Sequence, residues 1–333
     1  VTGQAAVRAQ WVLFAVVLAA FAILPLLVGK FYLQFFTKIM IMAILAMSLN
    51  LLIGYTGLAS FGHAAFYGTA AYVLGIMTSQ YQAASFWITF PAAIGASALL
   101  ALVIGFFVVR THGIYFIMVT LAFAQMLYVV FHDTKIGGGN DGMYIDLRPT
   151  IRIGDWQPLS LENYVHVYFV AFTCAVATSL TLRMIVASPF GRVLVGIRAN
   201  EHRMSSLGFP TFRYKLAAFT LAGAVGALAG YLSAVQFGFI NPEFFGWHLS
   251  VVVMMMVILG GMGTPVGPIL GAGAWMLLEE LFKDLPQLGA VDLGKHWQLW
   301  LGIFIVLAAL LLPNGLIGVA KKLWSMRSLK SGT

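Results

Sequence analysis

Charge is what this sequence has least of. Asp, Glu, Lys and Arg make up 9% of its 333 residues, whereas a soluble domain carries roughly a quarter. With 61% apolar residues and a mean hydropathy of +0.92, a water-soluble globular enzyme is excluded and the bilayer is the solvent for most of the chain. Cysteine is nearly absent too. Cys174 is alone in an apolar run, which excludes an intrachain disulfide and any C-x-x-C chemistry and leaves the redox compartment unspecified.

Acids are scarce where ion-driven carriers need them. Such carriers bury several carboxylates or arginines to bind and release protons or ions. Here Arg183, Glu279 and Glu280 lie near run ends, leaving His63, His166, Cys174 and His248 as sparse titratable groups. Enzyme motifs are missing as well. Ser60 and His63 are close, but Leu58 stands where a Gly-x-Ser-x-Gly elbow needs glycine, and there is no H-E-x-x-H or other metal-ligand spacing. An ion-coupled carrier and an intramembrane hydrolase are the readings left from other classes.

What the chain does have is continuous apolar runs without the alternation of barrel strands, so the spanning elements are helices. The runs fall near 10–28, 32–53, 63–79, 86–109, 112–131, 164–187, 212–237, 247–260, 266–282 and 297–313. The expectation is an all-α integral membrane protein of about ten transmembrane helices, some broken, forming a single domain over 1–333. The first run is too long for a signal-peptide core and reads as a retained helix; the opening Val1 fits a processed or trimmed end. With both termini cytoplasmic, twelve Lys/Arg fall inside and seven outside, which sets the orientation and accounts for the net charge of +8 without nucleic acid.

Two polar stretches leave the membrane. The periplasmic one, about 132–163, holds IGGGNDG, whose Gly137, Gly138, Gly139, Asn140 and Asp141 form either a plain turn or a row of N–H groups able to hold an anion. Alternation in MYIDLRPTIRIG predicts a short β-hairpin. In the cytoplasmic stretch, about 188–211, Ser188 and Pro189 start one helix. Asn200 caps a second, Glu201 favours its N-terminus, Gly208 takes the C′ position and Pro210 stops it. That short helix is either an interfacial element for anionic headgroups or a docking knob for a partner.

Glycine clusters interrupt the spans twice, at GYTGLASFGHAAFYG (Gly54 to Gly68) and at LGGMGTPVGPILGAG (Leu259 to Gly273). Non-helical backbone survives in a membrane only when covered by protein or lining a wet cavity, and paired breaks point to a transport path. Close packing through small residues, as in AGAVGALAG, is the competing account. His63, at the start of a span, is either a functional group or a neutral imidazole bonded to freed backbone.

Four motifs in order, SLNLLIGYTGLASFGHAAFYGTAAY, IGGGNDGM, SPFGRVLVGIRANEHRMSSLGF followed by FRYKLAAF, and ILGGMGTPVGPILGA, closely resemble the LivM-type permease subunits of bacterial branched-chain amino acid ABC importers. The resemblance runs from about Leu45 to Gly318. It implies a permease of the cytoplasmic (inner) membrane paired with a second, LivH-like permease, powered by two cytoplasmic ATPases and fed by a periplasmic binding protein. No cofactor would sit on this chain; ATP and Mg belong to the ATPases. The short helix becomes an ATPase-coupling helix, with Arg198, Glu201, His202, Arg203, Ser206 and Gly208 at the contact and Met204 and Leu207 packing. The family's Glu-Ala-Ala is here Glu-His-Arg, and the spacing to Gly208 is one residue longer. The breaks would line the path through Gly54, Tyr55, Gly57, Ser60, Gly62 and His63 on one side and Gly261, Gly263 and Thr264 on the other. Branched-chain or related hydrophobic amino acids are the favoured cargo, with urea, amides or organic acids as the alternative.

Overall fold

A computed structural model describes residues 28–78, 84–153, 156–285, 287–288, 291–292, 294–311 and 315–318, with Phe21, Leu24 and Pro25. The expected helix at 10–28 lies almost wholly outside the described residues, as does the basic tail after residue 318. The described residues are mostly helical. Among the described residues, five helices are long and apolar enough to cross a membrane: α1 (Lys30–Asn50) with the π turn Leu51–Thr56 that continues it, α3 (Phe86–Val108), α4 (Ile114–Asp133), α5 (Tyr164–Ala187) and α8 (Thr211–Phe237). Between and after them run α2 (His63–Met77), the short pair α6 (Pro189–Ala199) and α7 (Glu201–Ser206), α9 (Trp247–Gly260), α10 (Gly267–Lys283) and α11 (Trp297–Leu311).

Four runs expected as spans, 63–79, 247–260, 266–282 and 297–313, fold as helices of 15, 14, 17 and 15 residues. The glycine breaks shorten α2, α9 and α10: Gly62 and Gly261 flank α2 and α9, and α10 begins only at Gly267.

α1 forms the axis of the bundle. From Ile39 to Thr56 every residue is buried, the pattern of a helix apolar on all sides and surrounded by others. Around it pack α5, α8, α9 and α10, while α2 and α3 lie on the other side of α8. The AGAVGALAG run sets how closely α8 approaches its neighbours. A Cβ at Gly230 would fall against the Tyr67 carbonyl of α2, and one at Gly223 against Ala101 of α3. Hydroxyls tie the same faces together: Tyr67 donates to Ser233 Oγ at 2.5 Å and Ser97 donates to the Phe66 carbonyl at 3.2 Å. Small residues thus bring the backbones together, and hydrogen bonds fix the register.

The hairpin falls elsewhere than the alternation in MYIDLRPTIRIG suggests. β1 (Met143–Tyr144) pairs with β4 (Phe239–Ile240), just after α8, and β2 (Thr150–Ile153) pairs with β3 (Trp156–Ser160). Arg148 separates the two strands of the expected hairpin. Its guanidinium donates to the carbonyls of Val235 and Gln236 at 2.7 and 3.2 Å, capping α8, so Met143–Tyr144 is held against the chain leaving that helix. A third ribbon joins β5 (Gln287–Leu288) and β6 (Val291–Asp292).

Replacing Gly230 by valine forces a side chain into the Tyr67 backbone, and overpacking of this kind costs about 1–3 kcal/mol. Gly273, inside α10, has no heavy atom within 4 Å of an added Cβ, so alanine there is expected to stabilise by about 0.5–1 kcal/mol. Thermal unfolding midpoints of the detergent-purified protein should move in opposite directions; equal shifts would contradict the packing described.

Candidate coupling and translocation site

The first break begins where α1 widens into its π turn and stops at Gly57, whose left-handed backbone (φ 79°) disfavours any side chain. Leu58 N–H turns back to the Leu52 carbonyl at 3.1 Å. The N–H groups at the start of α2 are then met one by one. Phe61 donates to Thr120 Oγ1 of α4 at 3.2 Å, Gly62 to Ser60 Oγ at 3.2 Å, and Ala64 to Ser250 Oγ of α9 at 2.9 Å. Ser60 and His63 are completely buried. Ser48 donates its one proton to the Ala222 carbonyl and lies 2.7 Å from His63 Nε2, so the imidazole donates from Nε2. His63 therefore ties α1, α2 and α8 together, and neither it nor Ser60 lines an open channel in this conformation.

The second break, Gly261 to Val266, joins α9 to α10. Thr264 Oγ1 donates to the Gly261 carbonyl at 2.8 Å and accepts from Gly267 N–H at 3.1 Å, holding both ends of the turn. The two breaks, more than 200 residues apart in sequence, sit against each other. A Cβ at Gly54 would be 2.6 Å from Gly263 N and 2.8 Å from Gly263 Cα. Asn50, in the last turn of α1, clamps the second break with both ends of its amide: Oδ1 accepts from Gly263 N–H at 2.9 Å and Nδ2 donates to the Thr264 carbonyl at 3.1 Å. Beside this junction Asn50, Tyr55, Ser179, Arg183 and Pro265 line a small pocket.

The α6–α7 pair folds as its caps dictate. Ser188 Oγ accepts from Gly191 N–H at 3.4 Å, and Asn200 Oδ1 from Arg203 N–H at 2.9 Å. Phe209 N–H returns to Met204 and Gly208 N–H to Ser205, with Gly208 at φ 88°. These are the two crossed bonds of a Schellman ending. Met204 packs on Gly196, folding α7 back on α6. His202, Arg203, Ser206, Leu207 and Gly208 are exposed. Arg198, the last charged residue of α6, lays its stem over Gly57 and donates from Nη1 to the Gly54 carbonyl.

In the loop after α4, Gly137, Gly138 and Gly139 all have positive φ within the turn Ile136–Asp141. Gly137 rests on the Tyr72 ring, and Asn140 and Asp141 are exposed.

A family model described as "Branched-chain amino acid transport system / permease component" matches residues 31–312. The chain belongs to that family. It is 30% identical to the high-affinity branched-chain amino acid transport system permease protein LivM of Salmonella typhimurium, over 91% of this chain and 74% of that one. It is equally 30% identical to LivM of Escherichia coli, over 93% of this chain and 75% of its relative. It is also 22% identical to the LivH permease protein of Salmonella typhimurium, over 83% of this chain and 91% of that one. No solved structure matches it. The protein is thus a permease component of an ABC-type import system, a helical membrane protein of the transporter class.

Within the permease, Glu201 is committed inward. Its carboxylate lies 2.7 Å from Lys215 Nζ of α8 and 3.3 Å from His112 Nε2 in the α3–α4 turn. Lys215 is buried, so Glu201 fastens α7 to the membrane core. Partial burial pushes the carboxyl up, but the hydrogen bond and charge of Lys215, with Thr211 and His112, outweigh it and hold it below the ordinary glutamate range. Asn50, Ser48, Thr120 and Ser250 were not singled out from the sequence. The signal available was a polar side chain inside an otherwise apolar helix, as in SLNLLIG.

Substituting Glu201→Gln and Lys215→Met singly and together should give strongly non-additive losses, with a coupling of about 1.5–3 kcal/mol for a hydrogen bond between charged groups. Because the folded carboxyl titrates below its unfolded value, this contribution is complete above the ordinary glutamate range. It is lost as pH falls through the lowered folded value. Additive losses in thermal unfolding, or a loss already complete in the ordinary glutamate range, would contradict the pairing.

Proposed function

We propose that this permease moves branched-chain or related hydrophobic amino acids from periplasm to cytoplasm by alternating access, driven by two ATPase subunits. A second, LivH-like permease completes the pore, and a periplasmic binding protein delivers the cargo. The permease lies in the inner membrane with both termini cytoplasmic; the four shorter helices and the run before Gly29 complete about ten spans in one domain. It binds no cofactor, ATP and Mg being held by the ATPases.

Family membership supports the transport class, and the names of the LivM relatives support the cargo. The observation that carries the mechanism is the meeting of both breaks with the cytoplasmic pair at a single point. The path runs beside Gly54, Tyr55, Gly57, Gly261, Gly263 and Thr264, with Ser60, Gly62 and His63 supporting it from within. His202, Arg203, Ser206 and Leu207 face the ATPase, Met204 and Gly208 shape the helix that presents them, and Glu201 anchors it. The loop at Gly137 to Asp141 faces the binding protein. Buried carboxylates able to carry a coupling ion are lacking in the described spans, which favours an external energy source over an ion gradient.

The complex extracted from its native membrane should contain a second permease and two ATPases. In liposomes it should take up leucine only with ATP and binding protein, and tryptophan at both Gly57 and Gly263 should reduce uptake at least tenfold. Gradient-driven uptake by the isolated chain would overturn the reading. Full uptake by the double variant would remove the path from the breaks, and ATP-driven uptake of urea in place of leucine would reassign the cargo.

A further inference from the structure

The π turn leaves a specific vacancy in backbone bonding. Gly57 N–H and Leu58 N–H both turn back to the Leu52 carbonyl, so the Gly54 carbonyl, near the helix end, must look outside the helix for a donor. The donor is Arg198 Nη1. Arg198 is exposed, yet two further contacts of its own hold its side chain along the breaks, and the bonds of Asn50 and Asn200 extend them. The Arg198 Cγ would lie 3.2 Å from a Cβ at Gly57, and its Nη1 would lie 3.1 Å from a Cβ at Gly263, so the side chain runs along the first break and ends beside the second. Asn50 binds the second break to the helix that carries the first. Asn200, two residues after Arg198, caps α7, so any displacement of α7 pulls on the same backbone.

We propose that Arg198 is the positioning residue that couples the α6–α7 pair to both glycine breaks, acting as an inward strut rather than as part of the ATPase contact surface. Glu201, the first residue of α7, holds that helix to α8 through Lys215; α6 also packs on the π turn, with Leu194 and Ile197 buried, and Arg198 is the side chain of α6 that bonds the first break's backbone and reaches the second. A guanidinium suits this task because its planar donors can serve the Gly54 carbonyl while its stem lies flat on glycine backbone; a lysine offers one mobile ammonium. The inference rests on the ATP-driven reading for its functional consequence, but its structural content does not.

Two measurements separate these. The first is hydrogen exchange on the purified permease complex. Arg198→Ala should speed exchange at Leu58 and Gly263 at least tenfold with α6 amides unchanged, and Arg198→Lys should give an intermediate effect. Unaltered exchange in the breaks overturns the strut whatever the protein transports. The second is ATP hydrolysis and leucine uptake by the reconstituted complex. Arg198→Ala should keep the ATPases bound and hydrolysing at the basal rate. It should lose stimulation by leucine-loaded binding protein, with uptake down at least tenfold, and Arg192→Ala on the exposed face of α6 should behave as wild type. Dissociation of the ATPases from Arg198→Ala, with exchange in the breaks unchanged, would return Arg198 to the docking surface and overturn the proposal. No ATP-driven uptake by the wild-type complex would defeat the importer reading alone, since the exchange result still decides the strut.

Discussion

Backbone amides and carbonyls released by a break within the bundle have no bulk water to bind, and each one left unpaired costs several kcal/mol. The structure follows from how this demand is met at two breaks at once. Thr120, Ser60 and Ser250 accept from the N–H groups that open α2, Thr264 bridges its own turn, and Asn50 supplies a donor and an acceptor to the second break from the stem of the first. Thr120, Ser250 and Asn50 come from three different helices, so the bonds that satisfy the breaks also decide which helices become neighbours. The close approach of Gly54 to Gly263 then leaves no room for a side chain at that contact.

Such an arrangement is firm within each part and replaceable between parts. Interhelical hydrogen bonds in membranes are worth about 1–2 kcal/mol or less, so a rearrangement that exchanges a few of them for others costs little. The α6–α7 pair is built differently. Its caps, its crossed Schellman bonds and the Met204–Gly196 contact make α6 and α7 a stiff unit, and it joins the core through buried apolar residues of α6, through Glu201 with Lys215 and His112, and through Arg198. A stiff unit so attached transmits displacement; a floppy one would absorb it.

Much of this was legible in the sequence because local rules dominate it. Ser188, Asn200, Gly208 and Pro210 mark the ends of α6 and α7 through cap chemistry that acts within a few residues, and the apolar runs mark the long helices. Cap chemistry says nothing of distant partners, so Glu201 read as a surface contact until Lys215 was seen beneath it. The same limit applied to Asn50, whose amide serves a turn more than 200 residues away. Alternation misplaced the hairpin for a related reason: the bonds from Arg148 to the end of α8 redirect Met143–Tyr144, and no periodicity records them.

The central claim is that the α6–α7 pair and the second break move together. Spin labels at Ser205 on α7 and at exposed Met262 in the break, in a Cys174→Ser background, would give their separation by pulsed electron resonance in the assembled complex with and without ATP. The account predicts an unchanged Ser205–Met262 distance across nucleotide states while the distance from Ser205 to a label at Asn140 in the periplasmic loop shifts. A Ser205–Met262 distance that changes by several ångströms between states, as if α7 slid independently of the break, would contradict it.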